Sequence, residues 1–273
     1  MPVNNIEVTQ AKTIIQEIPT TGHSPLMTLC LDGNTYIAKS RKGLVAFDYE
    51  IVSEFLCTHL LSFWGIATPT NKGISFTQDI IQNSDLSDRH RWDRNYRDCI
   101  CFGSRLVENP IEISQILLLN KFRGLSRFED PFQFFKIALF DMWVLNDDRK
   151  PSNPNLLLSP HTTGLRFCAI DHAYTFGTSA YGDLLPNMFM SYNDSIMDCS
   201  FVSKVTKSLG TQLPDFQAYL HESVNFCQKS HAEVLNSVES CLGLDIPGKA
   251  ELEQFLYNPQ RIAQIYKDFQ AYF

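Results

Sequence analysis

The segment 131–171 restricts the fold more than any other. PFQFFKIALFDMWVL is apolar nearly all round and runs straight into the polar loop 146–155, after which come two short strand-like runs, 156–158 and 165–170. A helix with no polar face belongs in a core, so the loop that follows it is anchored by a buried element. Phe132, Phe134, Phe135 and Phe140 therefore read as helix core and not as a platform for stacking bases. The Ser-Pro-His-Thr-Thr-Gly turn at 159–164 folds the two runs back on each other as a hairpin.

Elsewhere the pattern divides. Residues 1–40 read as strands, with Asp32-Gly33-Asn34 as a hairpin turn between 26–31 and 35–39. Phe47 to Phe63 reads as a helix on its four-residue repeats, stopping at Gly65. Strand-like runs return at 73–81 and 98–107, around a highly charged stretch at 83–98 in which Asp88-Arg89-His90 reads as a solvated loop; from 111 the pattern is helical, and about four helices follow residue 195. The expectation is an α+β fold of two lobes: a small β-rich lobe with one helix, 1–109, and a larger, mostly helical lobe, 110–273. The boundary lies near Asn109-Pro110, and a crevice between two such lobes is a natural ligand site.

With 273 residues, 44% hydrophobic, the chain has ample material for a core. A net charge of −7 disfavours a general nucleic-acid binder, so any phosphate must be held by a few local cations. The eight cysteines sit mostly among apolar neighbours with no Cys-x-x-Cys, the pattern of free thiols in a reducing compartment. The polar N-terminus and the lack of an apolar run of about 20 residues read as cytoplasmic, with no membrane partner.

Chemistry concentrates in Asp148-Arg149-Lys150-Pro151-Ser152-Asn153. Phosphoryl transfer needs a carboxylate to orient the attacking hydroxyl, a cation for the moving phosphoryl group and an oxygen ligand for Mg²⁺. Asp-x-Lys-Pro-x-Asn supplies all three, and its chance occurrence in a chain of this length is on the order of one in several hundred. The same residues also make a plain Pro-punctuated turn. Asp171 closes the strand 18 positions after Asn153, where a hairpin lets both share a metal; it also reads as a cap or turn former. Lys39 ends a strand whose alternation places it with Ile37, opposite Tyr36 and Ala38. Glu50 and Glu54 lie four apart on the following helix, and a Lys39–Glu54 pair relieves their repulsion; both facing water is the alternative.

The order of a strand Lys, a helix Glu, an Asp-x-Lys-Pro-x-Asn loop and a strand-borne Asp resembles the protein-kinase-like fold. FDMWVLNDDRKPSNPNLLL (140–158), AIDHAYTFG (169–177), TYIAKS (35–40) and CFGSRL (101–106) resemble the HipA-like kinases, themselves similar to phosphoinositide kinases, over roughly residues 20–180. The resemblance implies an ATP- and Mg²⁺-dependent kinase acting on Ser or Thr of a protein, itself included. Lys39 would hold the α- and β-phosphates, oriented by Glu54 in preference to Glu50. Asp148 would orient the acceptor hydroxyl, Lys150 would steady the γ-phosphoryl, and Asn153 and Asp171 would bind Mg²⁺. Backbone groups around Cys101, Phe102, Gly103 and Ser104 would read the adenine edge. Members are often toxins, which implies an antitoxin-like partner; no helix-turn-helix is evident for direct nucleic-acid contact.

Three departures stand out. No Gly-x-Gly-x-x-Gly precedes Lys39; Thr20–Pro25 occupies that place with the single Gly22, and Ser24 there is a candidate for regulatory phosphorylation. Asp171 is followed by His-Ala, not Phe-Gly. Asn146-Asp147 stands where protein kinases carry His-Arg, and Asp147, six before Asn153, competes for the base role. Asp88-Arg89-His90 repeats a phosphoinositide-kinase triplet but lacks an Asn five residues on and a strand behind it. His23, His59, His161 and His231 show no ligand spacing. A small-molecule kinase and a nucleotide-binding pseudokinase or interaction module are the competing readings.

Overall fold

The computed structural model describes residues 5–20, 24–41, 47–113, 125–178, 180–191, 195–209 and 213–273. They form a mixed α+β fold that divides into two units. The first comprises 1–59, 69–107 and 232–246; the second comprises 60–68, 108–231 and 247–273.

The first unit is built on a closed five-stranded barrel. β1 (Val8–Glu17), β2 (Leu26–Cys30), β3 (Thr35–Lys39), β4 (Asn71–Ser75) and β5 (Ile100–Arg105) take the order β1-β2-β3-β5-β4, and β4 returns parallel to β1. Closure leaves no strand edge open. β3 alternates as the sequence suggests: Tyr36 and Ala38 lie within the core, while Ile37 and Lys39 are half-buried on the other face. α1 (Tyr49–Phe63) is capped by Asp48, whose carboxylate accepts the Glu50 amide at 3.0 Å. Its Phe55 ring meets Phe102 of β5 edge-on, 4.9 Å between centroids. The turn past α1 uses Gly65 at φ +62°, open to glycine at little cost.

Two expectations fail here. The run 73–81 is not one strand: β4 ends at Ser75 and α2 (Gln78–Gln82) follows. The charged stretch is not a solvated loop but carries α3 (Arg89–Tyr96), because Trp92 and Tyr96, four apart, enter the barrel core with Phe76. Asp88 of the decoy triplet is its N-cap, accepting the Arg91 amide at 3.1 Å.

In the second unit, α4 (Gln133–Val144) is buried at every residue except Lys136, as its unbroken apolar pattern requires. Beside it lies the sheet β6-β7-β8 (Ile111–Glu112, Leu156–His161, Gly164–Ala169). Phe128 stacks on Phe167 of β8 at 4.8 Å, and Phe134 and Phe201 close around them. The helical pattern expected from 111 is corrected at its start, where Ile111 and Glu112 pair with Leu158 and Leu157; 114–124 lies outside the described residues. The end of the chain gives α5 (Ser200–Leu209), α6 (Phe216–Leu242), α7 (Lys249–Tyr257) and α8 (Pro259–Gln270). All eight cysteines are free thiols, and Cys99 alone is not buried. Among the described residues, no helix is long and apolar enough to cross a membrane.

Gly103 is the tightest point of the barrel near β3, since a Cβ there would lie 2.4 Å from Ile74 Cγ1. Gly103→Val is expected to destabilise the chain by roughly 1–3 kcal/mol, read as a lower urea midpoint with unchanged slope; an unchanged midpoint contradicts this packing.

Candidate functional site

The residues singled out in the sequence fall into two groups, one in each unit. In the first, Lys39 leaves the end of β3 and donates from Nζ to Glu54 Oε1 at 2.5 Å. The two side chains are 13% and 3% exposed, so the pair is largely removed from water and neither member is cheaply lost. Glu54 rather than Glu50 is therefore the partner of Lys39. Glu54 is buried one turn past Asp48-capped Glu50, where the helix faces the strand.

Phe102 stands opposite Lys39, Gly103 opposite Ala38 and Ser104 opposite Ile37 in the β3–β5 ladder. The same three residues pair with Gly73, Lys72 and Asn71 of β4 on their other side. Their amides and carbonyls are thus committed to two ladders, and Phe102 is buried against Phe55. The backbone around Cys101–Ser104, expected from the resemblance to read an adenine edge, lies in the middle of a barrel strand. Ser24 is buried at φ +46°, its amide bonded to Thr20 Oγ1 at 3.1 Å and its hydroxyl 3.4 Å from Arg91 Nη2. Gly22 lies outside the described residues.

In the second unit the loop is built from Asp148 outward. Its Oδ2 accepts from Asn153 Nδ2 at 2.9 Å and from Asn155 Nδ2 at 3.0 Å. Two amides fix the carboxylate's direction, while Asp147 next to it is exposed. Pro151 and Ser152 form the tip of a turn closed by reciprocal backbone bonds between Lys150 and Asn153, 3.2 and 2.9 Å. That turn presents the half-buried Lys150 side chain, whose ammonium has no ion-pair partner among the described residues.

Arg149 holds this arrangement in place. It is fully buried; its Nε donates to Asp141 Oδ1 of α4 at 3.1 Å and lies 2.9 Å from Oδ2 of the same carboxylate as an ion pair. Nη1 donates to the carbonyls of Pro154 (3.3 Å), Asn155 and Ile170 (3.1 Å), and Nη2 meets His172 Nε2 at 2.8 Å. An arginine only donates, so His172 Nε2 is an acceptor and a neutral ring carries its proton on Nδ1. One guanidinium thereby fixes the backbone just after Asn153 and just before Asp171, and the His172 ring just after it. Asp171 itself is half-buried at φ +59°. Leu145, Asn155 and Phe176 share positive φ, so strained backbone gathers along this loop and the β8 exit.

With its amide nitrogen bonded to Asp148, Asn153 keeps its oxygen as a donor for a hard cation, and Asp171 supplies a carboxylate; both suit Mg²⁺, which takes few protein oxygens. Among the described residues, no cluster of three or more His, Cys, Asp or Glu is placed to hold a metal. One Asn with one Asp is not such a cluster.

Sequence reasoning treated Arg149 as the variable position of the motif and passed over Asp141, Asn155 and His172. The available signal was Asp141, a lone carboxylate in an otherwise apolar helix.

A family model described as HipA-like kinase matches residues 11–222. The chain belongs to the HipA-like kinase family, and its function is of kinase type. Among solved structures, the Helicobacter pylori proinflammatory kinase CtkA is similar at a TM-score of 0.44 and 10% identity, over 98% of both chains. No curated protein matches.

Burial raises the Asp141 carboxyl to about 6, against the opposing pull of Arg149. A carboxyl holding its proton more tightly when folded gives the native state more protons, so stability falls as pH rises from about 4 to about 6. Urea unfolding across that range is expected to show a loss on the order of 2 kcal/mol that Asp141→Asn removes; the same slope in both proteins contradicts it. Arg149→Met, which strands Asp141, is expected to cost roughly 3–5 kcal/mol at pH 7, and an unshifted melting temperature contradicts that.

Proposed function

We propose that this chain is an ATP- and Mg²⁺-dependent protein kinase that transfers the γ-phosphoryl group of ATP to a Ser or Thr hydroxyl. The observation that carries the reading is the Asp148 carboxylate, aimed by Asn153 and Asn155 beside Lys150 on an Arg149-locked loop. Phosphoryl transfer asks for positioning and charge neutralisation more than covalent chemistry, and this loop provides both.

In this reading the chain takes the bilobal arrangement of a protein kinase, with lobes at 1–109 and 110–273. Lys39, oriented by Glu54, binds the α- and β-phosphates. Asp148 orients the acceptor hydroxyl and accepts its proton, and Lys150 neutralises charge on the phosphoryl oxygens. Asn153 and Asp171 hold Mg²⁺, which when bound offsets phosphate charge. With the 102–104 backbone committed to the barrel, adenine recognition falls to the segment that follows Leu106. Ser24, within reach of the Arg91 guanidinium, is the proposed autophosphorylation site, since that cation suits a phosphate. An antitoxin-like partner belongs to the proposal through family membership alone.

Asp148→Ala is expected to lower kcat by roughly 10²- to 10⁴-fold while the circular dichroism spectrum and melting temperature stay close to wild type. Lys39→Ala is expected to raise KM for ATP as well. Turnover retained in pure Asp148→Ala would falsify the base assignment, and Mg-ATP binding without any transfer in the wild type would favour a pseudokinase.

A further inference from the structure

One departure from the protein-kinase pattern is left unexplained by the proposed chemistry: Asp171 is followed by His172-Ala173, where Phe-Gly would stand. A phenylalanine ring offers no nitrogen acceptor, and His172 uses one. Its Nε2 lies 2.8 Å from Arg149 Nη2, and the residue is buried. The ring also meets Phe140 edge-on, 6.2 Å between centroids, a contact that phenylalanine makes equally well. Packing therefore does not account for the imidazole.

His172 stands directly beside a strained residue. Asp171 has φ +59°, a left-handed conformation that a residue other than glycine keeps only where its surroundings hold it. Here the chain is held on both sides. Before Asp171, the Ile170 amide donates to the Asn155 carbonyl at 3.1 Å, and the Ile170 carbonyl accepts from Arg149 Nη1 at 3.1 Å. After it, the His172 ring accepts from Arg149 Nη2, and the His172 carbonyl accepts from Thr175 Oγ1 at 3.0 Å. A guanidinium is planar and rigid, so the two nitrogens that flank Asp171 keep a fixed separation. Nη1 also donates to the carbonyls of Pro154 (3.3 Å) and Asn155, the two residues after Asn153. One fork thus ties together the backbone next to both Asn153 and Asp171.

Taking Asn153 and Asp171 as the Mg²⁺ ligands of the proposed function, we propose that His172 is a positioning residue for the metal. By accepting from Arg149 Nη2, it sets the direction of the Asp171 carboxylate relative to the Asn153 oxygen. Residues that orient ligands without touching a metal typically change its affinity roughly 10- to 100-fold when replaced.

The test is calorimetric titration of ADP into the whole chain at stepped Mg²⁺, which reads binding and not turnover. Wild type is expected to bind ADP more tightly as Mg²⁺ rises, and Asp171→Asn to lose that dependence. His172→Phe keeps the ring and removes the acceptor. It is expected to raise the Mg²⁺ needed for half the effect by roughly 10- to 100-fold, with the metal-free ADP affinity unchanged; His172→Leu takes its place if that variant does not fold. His172→Gln, whose side-chain oxygen can stand in for Nε2, is expected to restore most of the loss. Nitrogen NMR of the wild type is expected to show Nε2 of His172 without a proton, and a proton there overturns the proposal however the variants fold. A wild-type Mg²⁺ dependence in His172→Phe, with Asp171→Asn losing it, overturns the role of His172 alone. Equal losses in His172→Gln and His172→Phe overturn it in favour of ring packing. Wild-type ADP binding indifferent to Mg²⁺ overturns it together with the metal assignment.

Discussion

A single buried guanidinium organises the chemistry-bearing part of this protein. Arg149 has left water completely, and a charge does so only where its donors are matched. Here the matches are the Asp141 carboxylate, three backbone carbonyls and a neutral imidazole nitrogen. Those acceptors come from the end of α4, the close of the loop and the exit from β8. Because each would be left unsatisfied by movement, the three segments have one low-energy relation to one another. The positive φ at Leu145, Asn155 and Asp171 is tolerated on the same terms: local strain of order 1 kcal/mol each is held by contacts worth more together.

The barrel solves a different problem. Its closed ladder fixes the height at which β3 ends, and with it the position of Lys39. A lysine at that point, mostly removed from water, requires a carboxylate, and Glu54 meets it from α1. Buried ion pairs of this sort add little net stability but penalise any arrangement that separates them. Gly103 allows Ile74 to pack against β5 without displacing the strand that carries the pair.

Much of this was legible from sequence where a pattern repeated or a motif was dense. The β3 alternation and the apolar α4 follow from periodicity and the 156–170 hairpin from its turn residues, whereas the four-residue spacing on α1 puts Glu50 and Glu54 on one face and only the family resemblance prefers Glu54. What escaped was set by long-range contact. Trp92 and Tyr96 turn a charged stretch into a core-facing helix, which only the barrel interior explains. The backbone of 102–104 is bonded on both sides, a fact of sheet order and not of composition. Arg149 was invisible because a motif records the residues that touch substrate, whereas its role is to tie together acceptors up to 23 residues away. The helical expectation from 111 failed because two residues paired with β7 override a local preference.

The most direct measurement is incubation of the purified chain with γ-labelled ATP, with Mg²⁺ and with the metal chelated, using both the chain itself and added protein as acceptors. A phosphoryl-transfer site predicts label on a Ser or Thr hydroxyl in the presence of Mg²⁺ and its loss on chelation. Absence of label together with no Mg-ATP-dependent shift in melting temperature would contradict the assignment of Lys39, Asp148, Asn153 and Asp171 to ATP chemistry.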